Sequence, residues 1–100
     1  MITDAQIEAF RQKIENVYRE DYKELEAKIP GYFGGITVQK GKKNVKYISE
    51  TSGSKSVVCF VEIETGNVLK AASWAAPAKG ARGHIDTVQP GPVGSHWLYR

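Results

Sequence analysis

Ser56-Val57-Val58-Cys59-Phe60-Val61-Glu62-Ile63-Glu64-Thr65-Gly66-Asn67-Val68-Leu69-Lys70 (residues 56–70) places two extended runs on either side of one turn. The first run, Ser56 to Glu64, alternates well enough to bury Val57, Cys59, Val61 and Ile63 on one side, the period-2 pattern of a strand. Its apolar density predicts a central strand. Glu64-Thr65-Gly66-Asn67 reads as a tight hairpin in which glycine supplies a positive φ, and the chain returns through Val68, Leu69 and Lys70. This hairpin sets the fold class, because its neighbours upstream show the same period. Phe33 to Gln39 and Asn44 to Ser49 are predicted strands joined by the basic tip Lys40-Gly41-Lys42-Lys43, and Thr51-Ser52-Gly53-Ser54 makes the next turn. The expected sheet is small, antiparallel and of four to five strands.

Before residue 30 the period changes to 3.6. Thr3-Asp4-Ala5-Gln6 fits a capping box, and Ile7, Phe10, Ile14, Val17, Tyr18, Tyr22, Leu25 and Ile29 recur at steps of three and four. Glu15 and Arg19 fall one helical turn apart on the polar side, and Pro30-Gly31 ends the run. About seven turns is long for so small a domain. Part of the stripe either overhangs onto another subunit or lies wholly on its own sheet.

Composition fits this α+β reading. With 41% hydrophobic and 25% charged residues in a chain of 100, the sequence can build one globular core and is not a disordered segment. We divide the single domain 1–100 into a helix over 1–29, a sheet over 32–72, and a ligand-binding segment with a C-terminal strand over 73–100. A core of this size leaves the fold marginal, which favours assembly into oligomers. No apolar run approaches the length of a membrane span, and the amino end has neither a basic nor an apolar leader region, so a cytoplasmic protein that does not engage membranes is expected. The single cysteine, Cys59, sits inside the apolar run and reads as a buried free thiol. Net charge is +3, unevenly spread: residues 1–29 carry five bases against seven acids, whereas residues 30–100 carry nine bases against four acids. A cationic body concentrates phosphate-bearing ligands around itself, although a solvated basic face explains the same count.

From Ala71 to His84 the residues become small and turn-rich, interrupted by large aromatic or polar groups. Small residues let a ligand approach the backbone, and Pro77 and Gly83 can open and close one short helix near 77–82. Arg82 would then be favoured by that helix's dipole as well as by an anion. His96-Trp97-Leu98-Tyr99-Arg100 reads as a closing edge strand. His84, Asp86 and Ser73 are the cluster closest to a nucleophile and base, but no nucleophile elbow or paired acid-base carboxylates accompany them. His84, His96, Asp86 and Cys59 lack metal-ligand spacing, and the glycines of Gly31-x-x-Gly34-Gly35 lack the neighbours of a phosphate loop. No enzyme activity, metal or cofactor is expected. Trp74 among alanines, with Arg82, His84 and Arg100, offers instead a flat surface for a base and donors for phosphates; a core or interface aromatic is the alternative reading of Trp74.

At Cys59-Phe60-Val61, at Thr65 through Lys79, and at Ala81-Arg82-Gly83-His84-Ile85, the sequence resembles the first family of Thoeris anti-defence sponges, small phage proteins. The resemblance covers roughly residues 44–100. It implies a protein that sequesters the cyclic ADP-ribose isomers (gcADPR) made by bacterial TIR-domain enzymes, without cleaving them, in the cytoplasm of an infected bacterial host. Some members also hold cyclic oligonucleotides from CBASS systems, cyclic trinucleotides among them, at separate sites. It further implies dimers with pockets across the interface, assembled into a hexamer, with Trp74 against the adenine base, and Arg82, His84, Asp86 and Arg100 around the ligand. Two positions depart from the family pattern: His84 replaces an asparagine and Ser49 an arginine. Losing one charged phosphate contact costs about 1.5–3 kcal/mol, roughly ten- to a hundredfold in affinity. Lys46 or Lys55 can supply a replacement charge. Two further readings are a phage nucleic-acid-binding module using Lys40, Lys42, Lys43, Lys46 and Lys55, and an adaptor that binds a host protein through the helix stripe.

Overall fold

The computed structural model describes residues 1–91 and 97–99. Thr3 and Gln6 form the expected capping box: the Gln6 N–H donates to the Thr3 hydroxyl at 3.1 Å, and the Thr3 N–H donates to the Gln6 side chain at 2.9 Å. From this cap α1 runs over Asp4–Lys28. The Glu26 carboxylate accepts the Gly31 and Phe33 N–H groups that follow its end, which turns the chain into the sheet.

The sheet is a meander in the order β1 (Phe33–Lys40), β2 (Asn44–Thr51), β3 (Ser54–Glu62), β4 (Asn67–Ala71) and β5 (Pro77–His84), every neighbouring pair antiparallel. The expected α+β class and the central place of β3 are observed. Ser52 and Gly53 both have positive φ, the pairing that a two-residue hairpin needs between right-twisted strands. α1 lies across one face of the sheet. Ile7, Phe10, Ile14 and Tyr18 pack there with Phe33, Ile36, Val45, Cys59, Val61 and Val68 around Tyr47. The Tyr47 ring meets Phe10 edge-on at 5.2 Å, and its hydroxyl donates to the Ile7 carbonyl at 2.9 Å. Further along the stripe Leu25 and Ile29 remain exposed, so the apolar seam outruns the face that covers it. Cys59 is a free, fully buried thiol, and burial pushes its ionisation well above the usual thiol value. Among the described residues no helix is long and apolar enough to cross a membrane.

Three expectations are corrected. The segment 77–82 is not a short helix but part of β5, so the sheet continues through His84 instead of ending near residue 72. A helix built from Ala78-Lys79-Gly80-Ala81-Arg82-Gly83 would have no apolar side to bury and two costly glycines, whereas β4 presents an edge of unpaired backbone groups. Pairing satisfies that edge, and Gly80 and Gly83, both at positive φ, take up the register shifts between Asn67↔His84, Leu69↔Ala81 and Ala71↔Pro77. The closing strand is replaced by a 3-10 turn over Trp97–Tyr99. Trp97 and Leu98 are adjacent and both join the core; a strand would send one of them to each face. Finally, Val57 does not share an inward face with Cys59 and Val61. Tyr47 pairs with Cys59 but Ile48 with Val57, leaving Val58 as the extra residue of a bulge that turns Val58 inward and Val57 away.

The edge strand β1 is closed by α1 through a carboxylate. Glu15 accepts the Ile36 N–H at 2.9 Å and pairs with Arg11 at 2.9 Å and Arg19 at 3.5 Å. Burial pushes its carboxyl up, but the Ile36 bond and the two guanidinium groups outweigh this and hold it below the ordinary value. Glu8, bonded to Arg11 and Gln12, is drawn down to about 2. A lowered folded-state value means stability that is present above the unfolded-state value near 4.5 and is lost as pH falls through the folded-state value. Glu15→Gln is therefore expected to cost about 1–2 kcal/mol at neutral pH. Urea unfolding followed from pH 7 to pH 3 should show a shallower loss of stability in the variant than in the wild type.

Candidate binding site

The face of the sheet turned away from α1 is set by register. Lys46, Phe60, Leu69 and Ala81 form one transverse row across β2 to β5, one position out of phase with the inward Tyr47. The loop between β4 and β5, residues 72–76, is held as a turn by the Ala76 carbonyl, which accepts the Ala72 and Ser73 N–H groups. Its tip reaches over this row. The Lys46 ammonium lies 4.3 Å from the Trp74 ring centroid and 5.9 Å from that of Phe60. Trp74 is 47% exposed, whereas Phe60 is only 3% exposed and forms the apolar floor. Beside the stacked pair opens a cleft of about 360 Å³, bordered by Ala75 on the loop side and by Lys40, Lys42 and Lys43 of the β1–β2 turn on the other. No acidic residue lines it among the described residues. Of its lysines, Lys40 is paired, at 2.9 Å with Asp4.

The other described residues expected at the site lie elsewhere in the chain. His84 pairs with Asn67 at the far end of the β4–β5 hairpin from the Trp74 loop, about 13 Å along the strand. Both its ring nitrogens are taken by the main chain: Nδ1 accepts the Asp86 N–H at 3.1 Å, and Nε2 donates to the Thr65 carbonyl at 2.9 Å. Asp86 accepts from the Gln6 side chain at 2.9 Å, which ties this corner to the capping box of α1. These two side chains fasten the β3–β4 turn to the helix start. Ser73 belongs to the Trp74 loop, so the candidate nucleophile and base are not brought together in the chain. Arg82 is half-buried on β5 and already has an interaction partner. Ser49 is three residues beyond Lys46 on β2, opposite Ile36 and Ser56. Arg100 and His96 lie outside the described residues. Lys55 faces Glu50 at the opposite end of β2 from the lysine turn, so the five lysines do not form one patch.

The fastening at His84 gives a direct test. Gly66 has φ +79°, and a Cβ there would approach the His84 Nε2 to 2.6 Å. Gly66→Ala should lower the unfolding free energy by about 2 kcal/mol. Gly31→Ala, at φ +83° with nothing within 4 Å, carries the dihedral cost alone and should lose about 1 kcal/mol. Chemical denaturation of both variants separates the collision from the backbone strain.

Fold and cleft together define a small α+β domain, one helix on a five-stranded antiparallel meander, with a cationic, aromatic-floored hollow on the opposite sheet face. The chain belongs to a family of unknown function, DUF7717, which matches residues 2–92. No curated protein and no solved structure matches it.

Proposed function

We propose that the protein binds a nucleotide-type signal without transforming it, as a phage anti-defence sponge for cyclic ADP-ribose isomers. The observation that carries this reading is the exposed indole of Trp74, stacked on the Lys46 ammonium, which itself lines a cationic cleft with no acidic residue among its described lining. An indole presents a flat face to a base, and lysines balance the charge of phosphates without fixing one geometry. The engagement of both His84 nitrogens by backbone groups, and the distance of Ser73 from them, support retention of the ligand over its cleavage. Cytoplasmic action in an infected bacterium, and dimers assembled into a hexamer, follow from the same reading. The exposed Leu25 and Ile29 supply apolar surface for such contacts.

The test is direct. Protein incubated with purified gcADPR and freed of excess ligand is denatured by heat, and the released molecules are weighed by mass spectrometry. Recovery of intact ligand at near-stoichiometric yield is expected. Recovery of linear ADP-ribose would replace the sponge with a hydrolase, and recovery of nothing would remove the nucleotide reading. The lysine turn also favours a second reading, a nucleic-acid-binding module. Affinity would then rise with strand length and fall steeply with salt.

A further inference from the structure

We infer that the β1–β2 turn, through Lys42 and Lys43, is the phosphate subsite of the cleft that Lys46, Phe60 and Ala75 line beside Trp74. This rests on the reading of Trp74 as the surface for a base and goes beyond it by locating where the anionic end of the ligand is held. The resemblance implies Arg100 near the phosphates, and Arg100 lies outside the described residues. Among the described cations, Arg82 is half-buried and engaged, whereas Lys42 and Lys43 are exposed and border the cleft directly.

The turn is shaped to keep these lysines in place. The Gly41 N–H donates to the Asn44 carbonyl at 2.9 Å, closing the loop, and the Lys43 carbonyl accepts the Ile63 N–H, anchoring it to the end of β3. The two side chains therefore stand on a fixed base at the rim of the hollow and are not strung along a mobile strand. Lysine suits such a site, because an ammonium is a compact point charge that meets phosphate oxygens from many angles. The same turn also borders a second cleft, of about 350 Å³, which Glu62 and Glu64 line. Carboxylates in that lining repel an anion, whereas no described carboxylate lines the cleft that carries Lys46 and Phe60, and a phosphate gains there. The volume of the favoured cleft lies at the low end of the roughly 300–1,000 Å³ of small-molecule sites, the size for a base with one or two phosphates. Lys40 is held back by Asp4, which leaves Lys42 and Lys43 as the free charges nearest the opening.

Adenosine and ADP serve as probes, with Trp74 fluorescence as the readout; Trp97 is buried, and a Trp74→Phe variant gives its background. Wild-type protein should bind ADP about tenfold more tightly than adenosine at low salt. In the Lys42→Ala/Lys43→Ala double variant that advantage should vanish while adenosine binding stays unchanged. Both lysines are exposed, so the fold should survive, and circular dichroism checks it. An ADP advantage equal in both proteins would overturn the lysine assignment and leave the nucleotide reading standing. Failure of both probes to alter Trp74 emission would overturn the nucleotide reading itself. A single-stranded oligonucleotide that binds more tightly with each added residue, and loses this in the double variant, would assign the turn to a polymer and overturn the small-ligand subsite.

Discussion

Replacing Tyr47 by alanine is expected to remove about 3–5 kcal/mol of stability, the range for deleting a large buried aromatic side chain. The phenol is fully buried in the seam between sheet and helix. Its ring fills the space under Phe10, and its hydroxyl satisfies the Ile7 carbonyl in the first turns of α1. Loss of the ring opens a cavity where β2 and α1 meet. A domain of this size holds about 5–15 kcal/mol in total, so one substitution consumes a large share. Tyr47→Phe keeps the packing and removes only the hydroxyl; the Ile7 carbonyl loses one partner but still accepts within the helix, so the cost should be about 0.5–1.5 kcal/mol. Urea denaturation followed by circular dichroism measures both. A loss below about 1.5 kcal/mol for the alanine variant would mean that the helix is held to the sheet elsewhere. The Tyr47 hydroxyl is itself pushed well above the ordinary phenol value, burial being the chief cause, so it remains a donor across the working pH range.

The seam was readable from the chain because each of its parts is local. The capping box fixed where α1 begins, Pro30-Gly31 where it ends, and glycines at positive φ where the strands turn. Misreadings arose where a distant partner decides the outcome. Residues 77–82 have the composition of a short helix when read alone; they become β5 because β4 lacks a neighbour, a fact about the sheet. The bulge at Val58 cannot be seen in β3 itself, since only the register against Tyr47 and Ile48 reveals the extra residue. The site shows the same division. An isolated tryptophan among alanines marks an open aromatic, and Trp74 is one. His84-x-Asp86 carries the look of an oriented imidazole, yet its partners are the Thr65 carbonyl and the Asp86 N–H, backbone groups that no side-chain spacing announces. Lys46 enters the sequence reading as a substitute charge and as one of five lysines for a nucleic acid, never as a partner of Trp74. Its stacking on Trp74 depends on a loop folding back across three strands, and the available hint was its place on β2 just past the lysine turn.

Trp74→Ala is expected to weaken binding of gcADPR by roughly ten- to a hundredfold, since stacking of a base on an aromatic side chain contributes about 1–3 kcal/mol. The fold should be almost indifferent. Half of the indole already faces solvent, and its contact with Lys46 contributes only about 0.5–1 kcal/mol to an exposed site. A phenyl ring keeps a π face, so Trp74→Phe should retain most of the affinity, and calorimetric titration of the three proteins ranks them. Lys46 needs separate treatment because it touches the ring as well as the cleft. Lys46→Met preserves much of the stem and removes the charge. If Lys46 acts on the phosphates, its removal weakens ADP but not adenosine; if it only props the indole, both ligands weaken together. Combining Lys46→Met with Trp74→Ala completes a cycle whose coupling energy reports whether ring and ammonium act as one unit. Unchanged affinity in Trp74→Ala would place the base elsewhere. A loss of more than about 2 kcal/mol in its unfolding free energy would instead make Trp74 a structural cover for the Phe60 floor.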